Sequence, residues 1–196
     1  MSDARPVPVT LADAALPRAG AASNALLVVL ASLATAAAAQ VALPLPWTPV
    51  PVTGQTFAVL LTGLVLGPRR AFLAQALYLA EGACGLPVFA GGAGGLLPLI
   101  GPSGGYLAAF PFAALATGAL AGRGWARKPL GLFAAMMLGS GAIFSLGLAQ
   151  LSRFVPARSL AATGLLPFLP GDVLKAALAA GAFPPLWRLV ARGERR

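Results

Sequence analysis

Between Arg18 and Arg188 the chain is a succession of long apolar stretches, and its basic residues fall almost entirely into alternate gaps between them. Hydrophobic residues make up 58% of the 196 residues and charged residues only 10%, whereas a soluble domain carries about 25% charge. So little polar surface cannot cover a core of this composition, so lipid must serve as solvent for much of it. A membrane-crossing helix takes roughly 20 apolar residues. Six helical segments fit, the second short for a span: Ala22–Leu43, Gln55–Leu66, Arg70–Cys84, Gly104–Ala121, Leu130–Leu151 and Gly171–Ala191. The expectation is an all-α integral membrane protein of six transmembrane helices, one domain over residues 21–192, with a polar tail over 1–20 and a basic tail over 193–196.

Charge placement orients it. With the N-terminus in the cytoplasm, the inner gaps hold Arg5, Arg18, Arg69, Arg70, Arg123, Arg127, Lys128, Arg188, Arg192, Arg195 and Arg196, eleven of the 14 basic residues. Outer loops hold only Arg153 and Arg158. Basic residues favour the cytoplasmic side, so both termini are expected there, in a multi-pass protein of the cell membrane. The net charge of +9 therefore marks orientation. Nucleic-acid binding would need a basic stripe on a soluble fold, so lipid is the expected surrounding. Arg18, the apolar run after it and the Ala-rich Thr35–Gln40 also resemble a signal peptide with its cleavage site. The spans that follow favour a retained first helix.

Several chemistries are excluded. The chain has one cysteine, Cys84, and no histidine. An internal disulfide and a Cys–His nucleophile are ruled out, and a zinc site lacks donors. Cys84 is read as a small packing residue. No phosphate-binding G-x-x-x-x-G-K-[ST] loop occurs, so the chain cannot itself hydrolyse ATP. No cofactor is expected.

The outer loops are unusual. Pro44–Gly54 contains Pro44, Pro46, Pro49 and Pro51, and Gly85–Ser103 contains Gly91, Gly92, Gly94 and Gly95. Uncharged irregular backbone at a membrane surface makes sense where it folds over a cavity; an interfacial loop is the plainer reading. A short echo between Gly95-Leu96-Leu97-Pro98 and Gly164-Leu165-Leu166-Pro167 is a weak sign of duplication.

Asp172 and Lys175, at the outer end of the last apolar stretch, break the charge pattern. They are three residues apart and share a helix face. Ionisable residues inside a span usually face a cavity and mark function. Helix capping would account for Asp172 alone, but not for Lys175 one turn deeper. Together they place an acceptor beside a donor, the complement of a ureido or amide edge. An acid–base enzyme built on this pair would lack a histidine or a second carboxylate beside Asp172, so no enzyme is expected. Glu81 either pairs with Lys175, faces the cavity or snorkels to the surface. Thr53 and Gln55 add uncharged hydrogen-bonding groups. Tyr78, Phe89, Tyr106 and Trp47 suit either a cavity wall or an interfacial aromatic belt. On the first helix, Ala31, Thr35 and Ala39 form one line of small residues and Ala34, Ala38 and Ala42 another, fit for internal packing or for docking a membrane partner.

Five co-linear segments carry a resemblance: Pro51-Val52-Thr53-Gly54-Gln55-Thr56-Phe57, Leu66-Gly67-Pro68-Arg69, Gly85-Leu86-Pro87-Val88-Phe89-Ala90-Gly91-Gly92, Gly101-Pro102-Ser103-Gly104-Gly105-Tyr106 and Leu169-Pro170-Gly171-Asp172-Val173-Leu174-Lys175. Over most of residues 25–185 the chain resembles the BioY family, the biotin-specific substrate-binding components of energy-coupling factor (ECF) transporters. The resemblance implies the six-helix fold of these components and high-affinity capture of biotin near the outer face. It also implies a coupling transmembrane protein and two cytoplasmic ATPases as partners, with a small-residue line of helix one as a docking surface. The family's D-x-x-K maps onto Asp172 and Lys175. Gln55 and Thr53 would add hydrogen bonds, Phe89, Tyr106 and Tyr78 would cover the ligand's body, and Gly91 and Gly92 would offer backbone groups. Another vitamin as ligand is the nearest rival, a purely structural subunit a more distant one.

Overall fold

The fold is described from a computed structural model covering residues 10–16 and 20–193, with no side-chain description for Leu186 and residues 188–193. Arg5, Arg18 and residues 194–196 of the basic tail lie outside the described residues. In chain order the elements are α1 (Leu11–Ala15), α2 (Ala21–Gln40), β1 (Ala42–Leu43), β2 (Val52–Thr53), α3 (Gln55–Leu66), α4 (Pro68–Ala83), α5 (Leu97–Ile100), α6 (Gly104–Gly122), α7 (Pro129–Leu151), α8 (Leu160–Gly164) and α9 (Leu169–Gly193). Short 3₁₀ turns stand at Ala90–Gly92, Trp125–Arg127 and Ala157–Ser159.

Among the described residues, α2, α3, α4, α6, α7 and α9 stand close to where the apolar stretches put them. α2, α6, α7 and the segment Ala157–Pro185 are each long and apolar enough to cross a membrane. α3 and α4, with 12 and 16 residues, rise only about 18 and 24 Å, less than a hydrocarbon core of about 30 Å. Both pack inside the bundle, α3 against α6 and α4 against α2 and α6. Gly67 explains the abrupt join between them. Its φ of 79° suits glycine alone among ordinary residues, and Pro68 then starts α4 at a position that needs no N–H.

The first helix ends earlier than expected. Ala42–Leu43 leaves the helix and pairs antiparallel with Val52–Thr53, so the proline-rich segment is the tip of a short hairpin. Part of the stretch read as an N-terminal tail is also ordered. Thr10 caps α1, whose Leu11, Ala12 and Ala14 are buried, and α1 packs against α3 and α9. Arg70 binds Asp13 at 2.7 Å. Cys84, expected to pack inside, is exposed instead, because it caps the end of α4 beyond the last residue that faces the bundle.

Helices approach closely where glycine allows it. A Cβ on Gly63 of α3 would lie 2.1 Å from Thr117 Oγ1 of α6, and one on Gly147 of α7 would lie 2.3 Å from the Tyr106 ring. Small residues of this kind let backbones meet in lipid.

Candidate functional site

A cavity of about 230 Å³ lies between the β1–β2 hairpin, the glycine-rich loop and the ends of α3, α6, α7 and α9. Its polar end is built on α9. Asp172 stands in the first turn, where a carboxylate gains from the helix dipole, and Lys175 follows one turn on. Their charged atoms are 3.5 Å apart, with side chains 5% and 23% exposed.

Both charges are satisfied inside the protein. Ser140 of α7 donates to Asp172 Oδ2 at 2.8 Å and Thr56 of α3 donates to Oδ1 at 3.2 Å. Lys175 Nζ donates to the Thr53 carbonyl at 2.9 Å, to Thr56 Oγ1 at 3.1 Å and to Asp172 Oδ1 at 3.5 Å. A carboxylate has about four lone-pair sites, so Asp172 keeps room for one further donor. Lys175 can take a ligand carbonyl in place of its longest contact. The pair can therefore meet a group that presents N–H and C=O side by side.

Two groups of rings wall the rest. Tyr106, Phe144 and Phe168 form one, with centroids 6.1 to 6.5 Å apart. Tyr106 donates its hydroxyl to Gly164 O at 2.7 Å and so turns its ring toward the cavity. Phe89 and Phe110 belong to the other, with Tyr78 behind both: its centroid is 5.5 Å from that of Phe89 and 6.4 Å from that of Phe110. Gly82 makes room for Phe89, whose ring carbon would be 2.0 Å from an added Cβ. The hairpin tip reaches across the top, where Thr48 donates to Thr163 O at 2.7 Å.

Of the residues singled out from sequence, Asp172, Lys175, Gln55, Thr53, Phe89 and Tyr106 line the cavity. Tyr78 does not. It receives a hydrogen bond from Gln55 Nε2 at 2.5 Å and donates to Val88 O at 3.0 Å, so it holds Gln55 and the loop from behind. Gly91 and Gly92 do not line it either. At φ of 67° and 74° they turn the chain so that Ala90 and Ala93 flank the opening. Trp47, 61% exposed, belongs to the surface. Glu81 accepts a hydrogen bond from Ser32 of α2, away from Lys175 and from the cavity wall.

Two members of the first small-residue line on α2 are buried. Thr35 and Ala39 have 0% exposure, and Gln75 of α4 donates to Thr35 Oγ1 at 3.1 Å. Thr35 and Ala39 are therefore turned inward in a helix that packs against α4, while Ala31 on the same line is half-buried. On the second line Ala34 is exposed and Ala38 half-buried, the latter beside Gly54. Thr56, Ser140, Phe110, Ile143, Phe144 and Phe168, all lining or supporting the cavity, were not singled out from sequence. For Thr56 a signal existed in its place beside Gln55.

An ion pair beside a cavity, among helices of which several are long and apolar enough to cross a membrane, defines the class: a multi-pass helical membrane protein. Residues 4–192 match the BioY family, and the chain belongs to it. A probable biotin transporter BioY of Pyrococcus horikoshii is 44% identical over 131 residues, 67% of this chain and 76% of that protein. The biotin transporter BioY of Thermotoga maritima is 39% identical over 138 residues, 69% and 80% of the two chains. The crystal structure of the S-component for biotin from an ECF-type ABC transporter superposes with a TM-score of 0.77 at 25% identity, covering 85% of this chain and 92% of that one. By these names the family is one of transporter components and not of enzymes.

Proposed function

We propose that this chain is the biotin-binding membrane subunit of an ECF-type importer. The observation that carries this reading is the Asp172–Lys175 pair in the lining of an aromatic cavity, in a chain whose relatives are named biotin transporters. Biotin's ureido edge offers N–H groups to Asp172 and a carbonyl to Lys175. Its bicyclic thioether body is apolar and suits the rings of Phe89, Tyr106, Phe110, Phe144 and Phe168. Gln55 and Thr53 hold the hairpin side through the Thr53–Gln55 hydrogen bond of 2.9 Å.

In this reading six helices cross the cell membrane, α3 and α4 as short spans inside the bundle, with both termini cytoplasmic as the basic residues direct. The cavity then opens outward, and the hairpin and glycine-rich loop gate it. With no ATP-hydrolysing loop of its own, the subunit works with a coupling transmembrane protein and two cytoplasmic ATPases. α2 presents the docking face through Ala34 and its exposed neighbours Leu30 and Leu33. Residues 21–192 form the membrane domain, and no cofactor takes part.

Equilibrium binding to the purified chain in detergent tests the reading. Biotin is expected to bind with a dissociation constant below about 1 μM, and riboflavin and thiamine not to compete. Competition by either vitamin, or no saturable biotin binding, would overturn it.

A further inference from the structure

We propose that the protein recognises the ring end of biotin and leaves the acyl end unread, so that esters and amides of biotin bind as well as the free acid. This rests on the biotin reading above and concerns the same chamber.

Charge is the first observation. Among the described residues lining the cavity, Lys175 is the only base and Asp172 the only acid, and at 3.5 Å they neutralise each other. The three N–H groups of Lys175 are directed at Thr53 O, Thr56 Oγ1 and Asp172 Oδ1, so its charge is already matched by partners inside the protein. A ligand carboxylate placed there would compete with Asp172 for the same cation and meet like charge.

Exposure is the second. Asp172 is buried, while Lys175 and, elsewhere in the lining, Ala90, Ala93, Pro98 and Ser103 are partly exposed; those four bring one side-chain hydroxyl and no charge. Arg153 and Arg158 are exposed and do not line the cavity. A carboxylate taken out of water without a partner is strongly penalised. The acid at the end of biotin's chain therefore rests at the partly exposed wall, in water. Sites discriminate through buried polar groups that lose a partner when the ligand changes, and a group left in water provides no such discrimination.

The test is competition against labelled biotin on the full-length chain in detergent. Biotin methyl ester and the amide of biotin with the lysine side chain are expected to compete within about threefold of free biotin. A ureido-N-methylated biotin is expected to compete at least about a hundredfold less well. Ester and amide both more than about tenfold weaker would overturn the inference. So would Arg153→Ala or Arg158→Ala lowering the affinity for free biotin to that for the ester, since an arginine would then hold the acid. No saturable binding of the label itself overturns the biotin reading, and this inference with it.

Discussion

Asp172 is held inside the bundle because Thr56, Ser140 and Lys175, from three different helices, point at it. Hydrogen bonds to charged groups contribute about 1.5–3 kcal/mol each, so one lost donor should be felt without unfolding the chain. Ser140→Ala is expected to weaken biotin binding about tenfold, or about 1.4 kcal/mol, by calorimetric titration. Unchanged affinity would show that the Ser140 bond does not orient the carboxylate. Gly82→Ala is expected to weaken binding by a similar factor and to lower the unfolding temperature, because Phe89 must move out of the wall. Gly181→Ala, with nothing within 4 Å, is the control and should be neutral or stabilising by up to about 1 kcal/mol; equal damage from both variants would refute the steric account. Asp172 and Lys175 were legible in the sequence because a charge inside an apolar run is costly to keep and so marks a site. Ser140 was not, because hydroxyls in apolar helices commonly bond their own backbone, as Thr62, Thr117 and Ser145 do here.

At the scale of elements, α2 is held by few polar ties. Ser32 donates to Glu81, Gln75 donates to Thr35, and Gln40 Nε2 donates to Phe89 O at 3.4 Å. Interhelical hydrogen bonds in membranes contribute about 0.6–2 kcal/mol. Glu81→Ala should therefore lower stability by about 1 kcal/mol, read as a lower midpoint of thermal unfolding in detergent. Biotin affinity should stay within about twofold; a loss as large as that of an Asp172 variant would place Glu81 beside the ligand after all. The role of Glu81 was open in the sequence because helical phase decides it, and phase alone does not say which neighbour lies across. The same holds for the small-residue lines of α2. Spacing revealed two faces, and only the packing of α4 shows that the Thr35 and Ala39 face is buried. The hairpin of Ala42–Leu43 with Val52–Thr53 was hidden for a different reason. Two residues per strand carry no periodicity, and the prolines between them read only as a stiff loop.

For the whole molecule, long apolar runs and glycine–proline breaks made the all-helical plan legible, since lipid leaves a helix few alternatives. The small N-terminal helix was not, because five residues cannot declare a period. Cys84 offers a direct test of orientation: it is exposed, at the end of α4 assigned to the outer face. A membrane-impermeant maleimide should label it from outside intact cells, whereas labelling only after permeabilisation would reverse the topology. The central claim is that a ureido edge binds against Asp172 and Lys175. Its most direct measurement is the biotin dissociation constant of purified wild-type chain beside Asp172→Ala and Lys175→Ala. Each variant is expected to bind at least about a hundredfold more weakly, about 2.7 kcal/mol, with the unfolding midpoint in detergent retained. Wild-type affinity in both folded variants would contradict the claim.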